Sequence, residues 1–292
     1  MRHLLVAGAM TLGLLAPILP GQAAEGTAPP EQHWSFDGAF GTFDRAALQR
    51  GFQVYQSVCQ ACHSAHYLAF RNLEDIGFNE EEVKAIAAQY TVIDGPNDQG
   101  EMFERPGRPS DRKPAPFPNE QAARAANGGA FPPDLSLIAK AREHGPDYLY
   151  ALLTGYHEAP ADVTVPDGMN YNAFFPGHLI AMPAPLADDI VEYTDGTSAT
   201  LSQTASDVTQ FLMWLAEPKL EERKQTGIKV VLFLVILSCI LYAYKRRIWS
   251  DQHCAGPGRT AAAPTGEGVP ARGRPQTFRS RCSRSQELMT FW

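Results

Sequence analysis

Residues 44–63 read DRAALQRGFQVYQSVCQACH, and the fold turns on that stretch. Asp44 suits a helix N-cap, where its carboxylate accepts from the free backbone N–H groups of the first turn. Ala47, Leu48, Gly51, Phe52, Tyr55 and Val58 then recur at the spacing of one helical face. An amphipathic helix over 45–58 therefore packs one face on the fold and delivers its C-terminal end to Cys59. Gly51, without a Cβ, lets a second helix come close. The next five residues, Cys59-Gln60-Ala61-Cys62-His63, set two thiols one turn apart, in reach of the two vinyl groups of one haem. The histidine that follows is placed to ligate the iron, which is the attachment signature of a c-type haem.

Other readings of the pair are weaker. The chain has five cysteines, and only Cys59 and Cys62 fall in the body at 24–226; the others are Cys239, Cys254 and Cys282. Two cysteines two residues apart cannot staple an exported domain of this size. A thioredoxin-like redox pair needs a βαβ setting, which the flanking sequence lacks. A structural zinc needs two more ligands at matching spacing, and no partner Cys pair exists. Chance would have to explain why both body cysteines are used and why the chain is exported.

The export reading comes from the ends. Residues 1–23 have a short basic start (Arg2, His3), an apolar run from Leu4 to Leu19, and small residues at Gly21, Ala23 and Ala24, the pattern of a cleaved secretory signal. Gly8, Gly13, Pro17 and Pro20 break that run too early for a membrane span. Residues 230–244, VVLFLVILSCILYAY, are charge-free; with 227–229 and the snorkelling Lys229 they are long enough to cross a bilayer as a helix. Lys245, Arg246 and Arg247 follow, with Tyr242, Tyr244 and Trp249 as interfacial aromatics. The basic side is cytoplasmic by the positive-inside rule. The expected organisation is a signal at 1–23, an exported body at 24–226, an anchor and basic stop at 227–247, and a tail at 248–292 rich in Gly, Pro and Arg and too polar to fold.

Charge sorts the same way. The formal net charge is −7, yet the body alone carries 29 acidic and 14 basic side chains, a net of −15. An acidic body excludes nucleic-acid binding, which needs a basic face to neutralise phosphates. Acid clusters at 74–75, 80–82, 98–104 and 188–192 offer an encounter surface for a basic partner.

His63 supplies one axial bond, and the second decides between electron carrier and catalyst. The candidates are Met102, Met169, Met182, Met213, His144, His157 and His178. Met213 lies in a helical pattern, where methionine usually fills core, and Met102 lies among charges and prolines. Met182 sits in Ala181-Met182-Pro183-Ala184-Pro185-Leu186, where prolines fix the backbone and hold a flexible thioether in place. It is the favoured ligand, with His178 and Met169 as alternatives. A His/Met site is closed, six-coordinate and high in potential.

Several segments together resemble one family. CQACHS after GFQVYQSV, then ARAANGGAFPPDLSLIAKAR, DYLYALLTGY, FFPGHLIAMPAPL and FLMWLAEPKLEERKQTG before the C-terminal span resemble cytochrome c1, from about Trp34 to Trp249. That family is the haem subunit of the ubiquinol–cytochrome c reductase (cytochrome bc1) complex. The resemblance implies one covalently attached haem c, with thioether bonds at Cys59 and Cys62, His63 as proximal ligand and Met182 as distal ligand. The family's propionate-binding arginine and tyrosine map to Arg142 and Tyr148. A propionate suits a guanidinium fork, although Arg142 reads equally as a solvated surface arginine. The implied partners are cytochrome b and the Rieske iron–sulfur protein in a membrane complex, with a basic soluble c-type cytochrome as acceptor. The implied setting is the bacterial inner or intracytoplasmic membrane, haem domain on the periplasmic side. A membrane-anchored monohaem cytochrome feeding a terminal oxidase, and a haem enzyme or sensor with an open iron, stand as rivals.

The fold expected is mainly α, a cytochrome c-like haem domain with long loops plus one C-terminal transmembrane helix. Helices are expected at 45–58, 80–89, 119–126, 135–143, 147–154 and 207–216, with short strands at 190–194 and 198–201. The proline- and charge-rich stretch 94–118 reads as an excursion rather than a second domain.

Overall fold

A computed structural model describes residues 27–253 of the 292. The expected signal segment at 1–23, and the tail beyond His253, lie outside the described residues. The chain forms two compact units, the first ending at Lys224 and the second starting at Gln225.

The first unit is mostly helical, with little sheet. Helix α1 (Arg45–Ser57) starts where Asp44 accepts from the backbone N–H groups of Ala46 and Ala47. Its apolar face meets α6 (Leu201–Ala216), capped by the Thr200 hydroxyl. The two helices touch at Gly51, where a Cβ would lie 2.1 Å from the Asp207 carbonyl oxygen and 2.7 Å from the Phe211 Cβ. Phe52 and Tyr55 of α1 pack on Phe211 at 5.6 and 5.7 Å between centroids. Arg50 forks onto the fully buried Asp207 carboxylate (Nε–Oδ2 2.9 Å, Nη2–Oδ1 3.0 Å), so the charge taken out of water there is paired.

The other helices are α2 (Glu80–Ala88), α3 (Glu120–Ala126), α4 (Ile138–Ala141) and α5 (Gly145–Thr154). Asn79 and Glu82 cap α2 reciprocally, and Asn119 caps α3. A 3-10 helix over Phe70–Ile76 buries Phe70, Leu73 and Ile76 against α2 and α1.

The structure corrects the expected boundaries in four places. Helix α6 begins six residues early, at its Thr200 cap, because the buried residues of its first turns are Thr204 and Ala205, which mark no large apolar face. The 135–143 helix shrinks to α4: Asp134 Oδ1 first makes a turn by accepting from Ser136 N, and Arg142 is already extended. No strand forms at 190–194 or 198–201. Val191 and Tyr193 do point inward in alternation, but the segment has no ladder partner, and Thr200 is spent as a cap. The 94–118 excursion also holds one strand, which the sequence reading left unassigned. β1 (Thr91–Asp94) pairs antiparallel with β2 (Phe103–Pro106), and Arg105 bridges Asp94 and Asp111. Neither strand buries a face, so no alternation marked them.

A second short ladder pairs β3 (Asn170–Tyr171) with β4 (Leu179–Ile180). The closing helix α7 runs Leu220–His253, its first turn tied to the first unit by Glu221 accepting from Phe43 N and by Lys224 donating to the Phe36 and Gly41 carbonyls. Taken alone, its stretch to Ser250 is long and apolar enough to cross a membrane, with exposed Val230–Leu237, Ile240 and Leu241.

Candidate haem site

The C-terminal end of α1 runs into a single 3-10 turn, Cys59–Ala61. The Cys59 carbonyl accepts from both Cys62 N (3.2 Å) and His63 N (2.9 Å), which folds the five-residue motif back on itself. Cys59 and Cys62 are both free thiols. Burial pushes the Cys59 thiol up to about 12, with a further push from Cys62. A disulfide-exchanging pair needs the opposite shift, since its nucleophile is the thiolate.

The His63 ring is held by a segment seventy residues further along the chain. Its Nδ1 lies 2.8 Å from the Pro133 carbonyl oxygen. A carbonyl only accepts, so Nδ1 carries the proton and Nε2 keeps its lone pair for a metal. Burial holds the ring pKa below the ordinary imidazole value, against the raising influence of the Pro133 bond and the nearby Asp134. A neutral imidazole with one free nitrogen is the form that ligates iron.

Asp134 ties the Pro133 segment to the motif. Its Oδ2 accepts from Ser64 Oγ (2.7 Å) and His66 N (2.9 Å) while Oδ1 holds Ser136 N (2.8 Å), and Leu135 N donates to the Ser64 carbonyl. Burial pushes its carboxyl up, but those donors outweigh burial and hold it below the ordinary value. On the α1 side, the Tyr55 hydroxyl donates to the His63 carbonyl at 3.3 Å.

Met182 stands on a separate scaffold that follows β4. Its carbonyl accepts from Tyr156 Oη (3.2 Å) and Asn170 Nδ2 (3.3 Å). Asn172, fully buried, organises the loop: Nδ2 donates to the Leu152 carbonyl, and Oδ1 accepts from Phe174 N and Phe175 N. The backbone of Met182 is thus anchored twice, and its half-buried thioether rides on a fixed loop.

The rival ligands have other occupations. Met102 is exposed beside β2, Met213 packs on the core from α6, and His144 and His157 are exposed. The His178 ring stacks on Tyr171 with its Nδ1 at 3.3 Å from the Asn172 carbonyl. Met169 is half-buried at the end of a turn closed by its N–H on the Pro166 carbonyl.

Arg142 is exposed at the end of α4 and Tyr148 is buried in α5. They are near enough that Arg142 partly offsets the upward push of burial on the Tyr148 phenol. Burial also raises the Tyr156 phenol, with Tyr148 adding to it, so the structure groups Arg142, Tyr148, Tyr156 and the Met182 loop. The sequence reading named candidate ligands but not the groups that hold His63 and Met182 in place. Pro133, Asp134, Tyr156 and Asn172 act through carbonyls, turns and buried amides, which residue identity does not announce.

The donor set fits a haem c: two free thiols in one turn, and a neutral imidazole with its outer nitrogen occupied. A helical domain with that loop at the end of its first helix, followed by a helix able to cross a membrane, has the build of an anchored c-type cytochrome. The Cytochrome C1 family matches residues 34–252. The chain is 46% identical over 270 residues to the cytochrome c1 of Rhodospirillum rubrum, covering 86% of this chain and 97% of that one. It is 52% identical over 229 residues to the mitochondrial cytochrome c1 heme protein of Saccharomyces cerevisiae, covering 78% and 74%. Against the cytochrome b/c1 of Bradyrhizobium diazoefficiens it is 51% identical over 272 residues, which are 86% of this chain but 39% of that longer protein. The chain belongs to the cytochrome c1 family.

Proposed function

We propose that this chain is the electron-transfer subunit of a quinol–cytochrome c reductase complex, receiving single electrons from a Rieske iron–sulfur protein and passing them to a soluble c-type cytochrome. Cytochrome b completes the complex. Haem c, when bound, supplies one-electron ferric/ferrous chemistry. Cys59 and Cys62 would hold it by thioether bonds, and His63 Nε2 and the Met182 sulfur would be the groups that ligate its iron. The observation that carries this reading is the His63–Pro133 bond, which fixes the tautomer and leaves one nitrogen for iron.

The chain's other residues do structural work in that reading. Pro133 and Asp134 keep the imidazole from turning, and Tyr156 and Asn170 pin the backbone that presents Met182. Arg142 and Tyr148 are assigned to the propionates, as a guanidinium and a phenol on the same side as the Met182 loop. Ligation by both the His63 imidazole and the Met182 thioether would leave no iron position for a substrate, and a thioether would favour the ferrous state. In our reading residues 1–23 are a cleaved signal, 227–247 cross the bacterial inner membrane, and Lys245–Arg247 lie on the cytoplasmic side.

Purification of the membrane complex tests this directly. The chain should copurify with cytochrome b and a Rieske protein, keep its haem through denaturing electrophoresis, and be reduced by quinol. The ferric complex should show the charge-transfer absorption of thioether-ligated haem, and Met182→Leu should abolish it while Cys59 and Cys62 still hold the group. A haem lost on denaturation, or an unchanged band in Met182→Leu, would remove the assignment.

A further inference from the structure

Lys113 is a buried cation that the proposed electron path does not use. Only 4% of it is exposed, and no carboxylate among the described residues pairs with it. Its neighbour Asp111 is committed to Arg105, while Arg112 leans on the Tyr67 ring and the His66 carbonyl. The segment is fixed by its backbone: Lys113 N donates to the Leu68 carbonyl, and Phe70 N to that of Asp111. The side chain then enters an aromatic cage. Its Nζ lies 3.9 Å from the Tyr90 ring centroid and 5.6 Å from that of Tyr55, and donates to the Tyr90 hydroxyl at 2.5 Å.

Both phenols lead to the attachment loop. Tyr90 Oη donates to Gln60 Oε1 at 2.9 Å, and Gln60 stands between Cys59 and Cys62. Tyr55 Oη donates to the His63 carbonyl. Because an ammonium only donates and an amide oxygen only accepts, the relay from Lys113 through Tyr90 to Gln60 has one polarity.

We propose that Lys113 is a positioning residue for the haem-attachment loop: its caged cation holds Gln60 through the Tyr90 hydroxyl and, as an uncompensated positive charge behind the loop, favours the ferrous state of the haem bound there. The proposal rests on the haem reading above. A cation costs free energy in a site without a counter-ion, so its retention calls for compensation, and cation–π contact with two tyrosines supplies part of it. Burial pushes the ammonium down to about 8. Burial raises the Tyr90 and Tyr55 phenols, and in Tyr55 Cys59, Asp134 and Tyr90 add to it, so both phenols stay neutral while the lysine titrates. Loss of the lysine proton above pH 8 removes the charge, so the potential should fall there.

The test is a redox titration of the purified complex, following haem absorbance, with wild type, Lys113→Met and Lys113→Arg. Lys113→Met should move the ferric/ferrous equilibrium about tenfold toward ferric, a fall of about 59 mV for one electron. Lys113→Arg should keep the wild-type potential at pH 7 and lose the wild-type fall through pH 8, since a guanidinium does not titrate there. An unmoved potential in Lys113→Met overturns the proposal, as does a fall retained in Lys113→Arg. Should neither variant accumulate, a wild-type potential flat from pH 7 to 9 overturns it, and a fall centred near 8 supports it. A wild-type chain without covalent haem brings down the haem reading and this proposal together; a haem-bearing chain with unmoved potentials brings down this proposal alone.

Discussion

His63 takes its direction from a carbonyl seventy residues away, and Met182 from an asparagine amide and a tyrosine hydroxyl. Behind them stand residues whose worth lies in the groups they satisfy. Asn172→Ala would leave the Leu152 carbonyl and the Phe174 and Phe175 amides without these partners at half-buried positions. Each unsatisfied buried group costs on the order of 1–3 kcal/mol, so the variant should lose about 3 kcal/mol of stability in denaturant unfolding and weaken the thioether absorption of the ferric state. Asp134 gives a pH signature. Its carboxyl titrates below the ordinary value when folded, so it contributes stability above the unfolded pKa of about 4 and loses it as pH falls through the lower folded value. Unfolding midpoints measured from pH 5 to 2 should therefore fall less steeply in Asp134→Asn than in the wild type. Cys59, Cys62, His63 and Met182 could be proposed from the sequence because spacing and flanking prolines mark them. Asn172 and Pro133 were not, since an amide in a loop and a carbonyl on any residue look alike until the chain has folded.

Helices α1 and α6 show how far a pattern reaches. Helix α1 was readable to its cap because its inward face is apolar, and Gly51 was readable as a contact point because nothing else explains a glycine there. Gly51→Ala tests that contact. Helix propensity favours the substitution by about 1 kcal/mol, but the added methyl would enter the Asp207 carbonyl and the Phe211 side chain. Overpacking of this kind costs about 1–3 kcal/mol. We expect a net loss, seen as a lower thermal midpoint, and a normal midpoint would show that the two helices part freely. The first turns of α6 were illegible for the converse reason, their buried face carrying only Thr204 and Ala205. The β1–β2 hairpin escaped notice because its strands bury no face and draw their order from Arg105 between two aspartates.

At the scale of the molecule, charge is the property that local motifs do not determine. Residues 24–226 carry a net −15. Some of that charge is spent internally: Asp207 is paired with Arg50, Asp111 with Arg105, and Glu217 with Lys140 and Arg223. Glu74, Asp75, Glu81, Asp98, Glu101, Glu104, Asp189 and Glu192 remain exposed without an ion-pair partner among the described residues. Exposed unpaired charge adds little to stability, but its field reaches out by a Debye length, about 30 Å at 0.01 M salt and about 3 Å at 1 M. A basic cytochrome approaching this body would be steered at low salt and meet it nearly at random at high salt. Steered association runs orders of magnitude above the unsteered 10⁵–10⁶ M⁻¹s⁻¹, so stopped-flow rates of electron transfer to a basic soluble cytochrome should drop at least about tenfold across that range. Dissociation rates, governed by short-range contacts, should change far less. A rate independent of ionic strength would mean that the acidic surface does not face the acceptor, and that the exit route for the electron lies on another side of the domain.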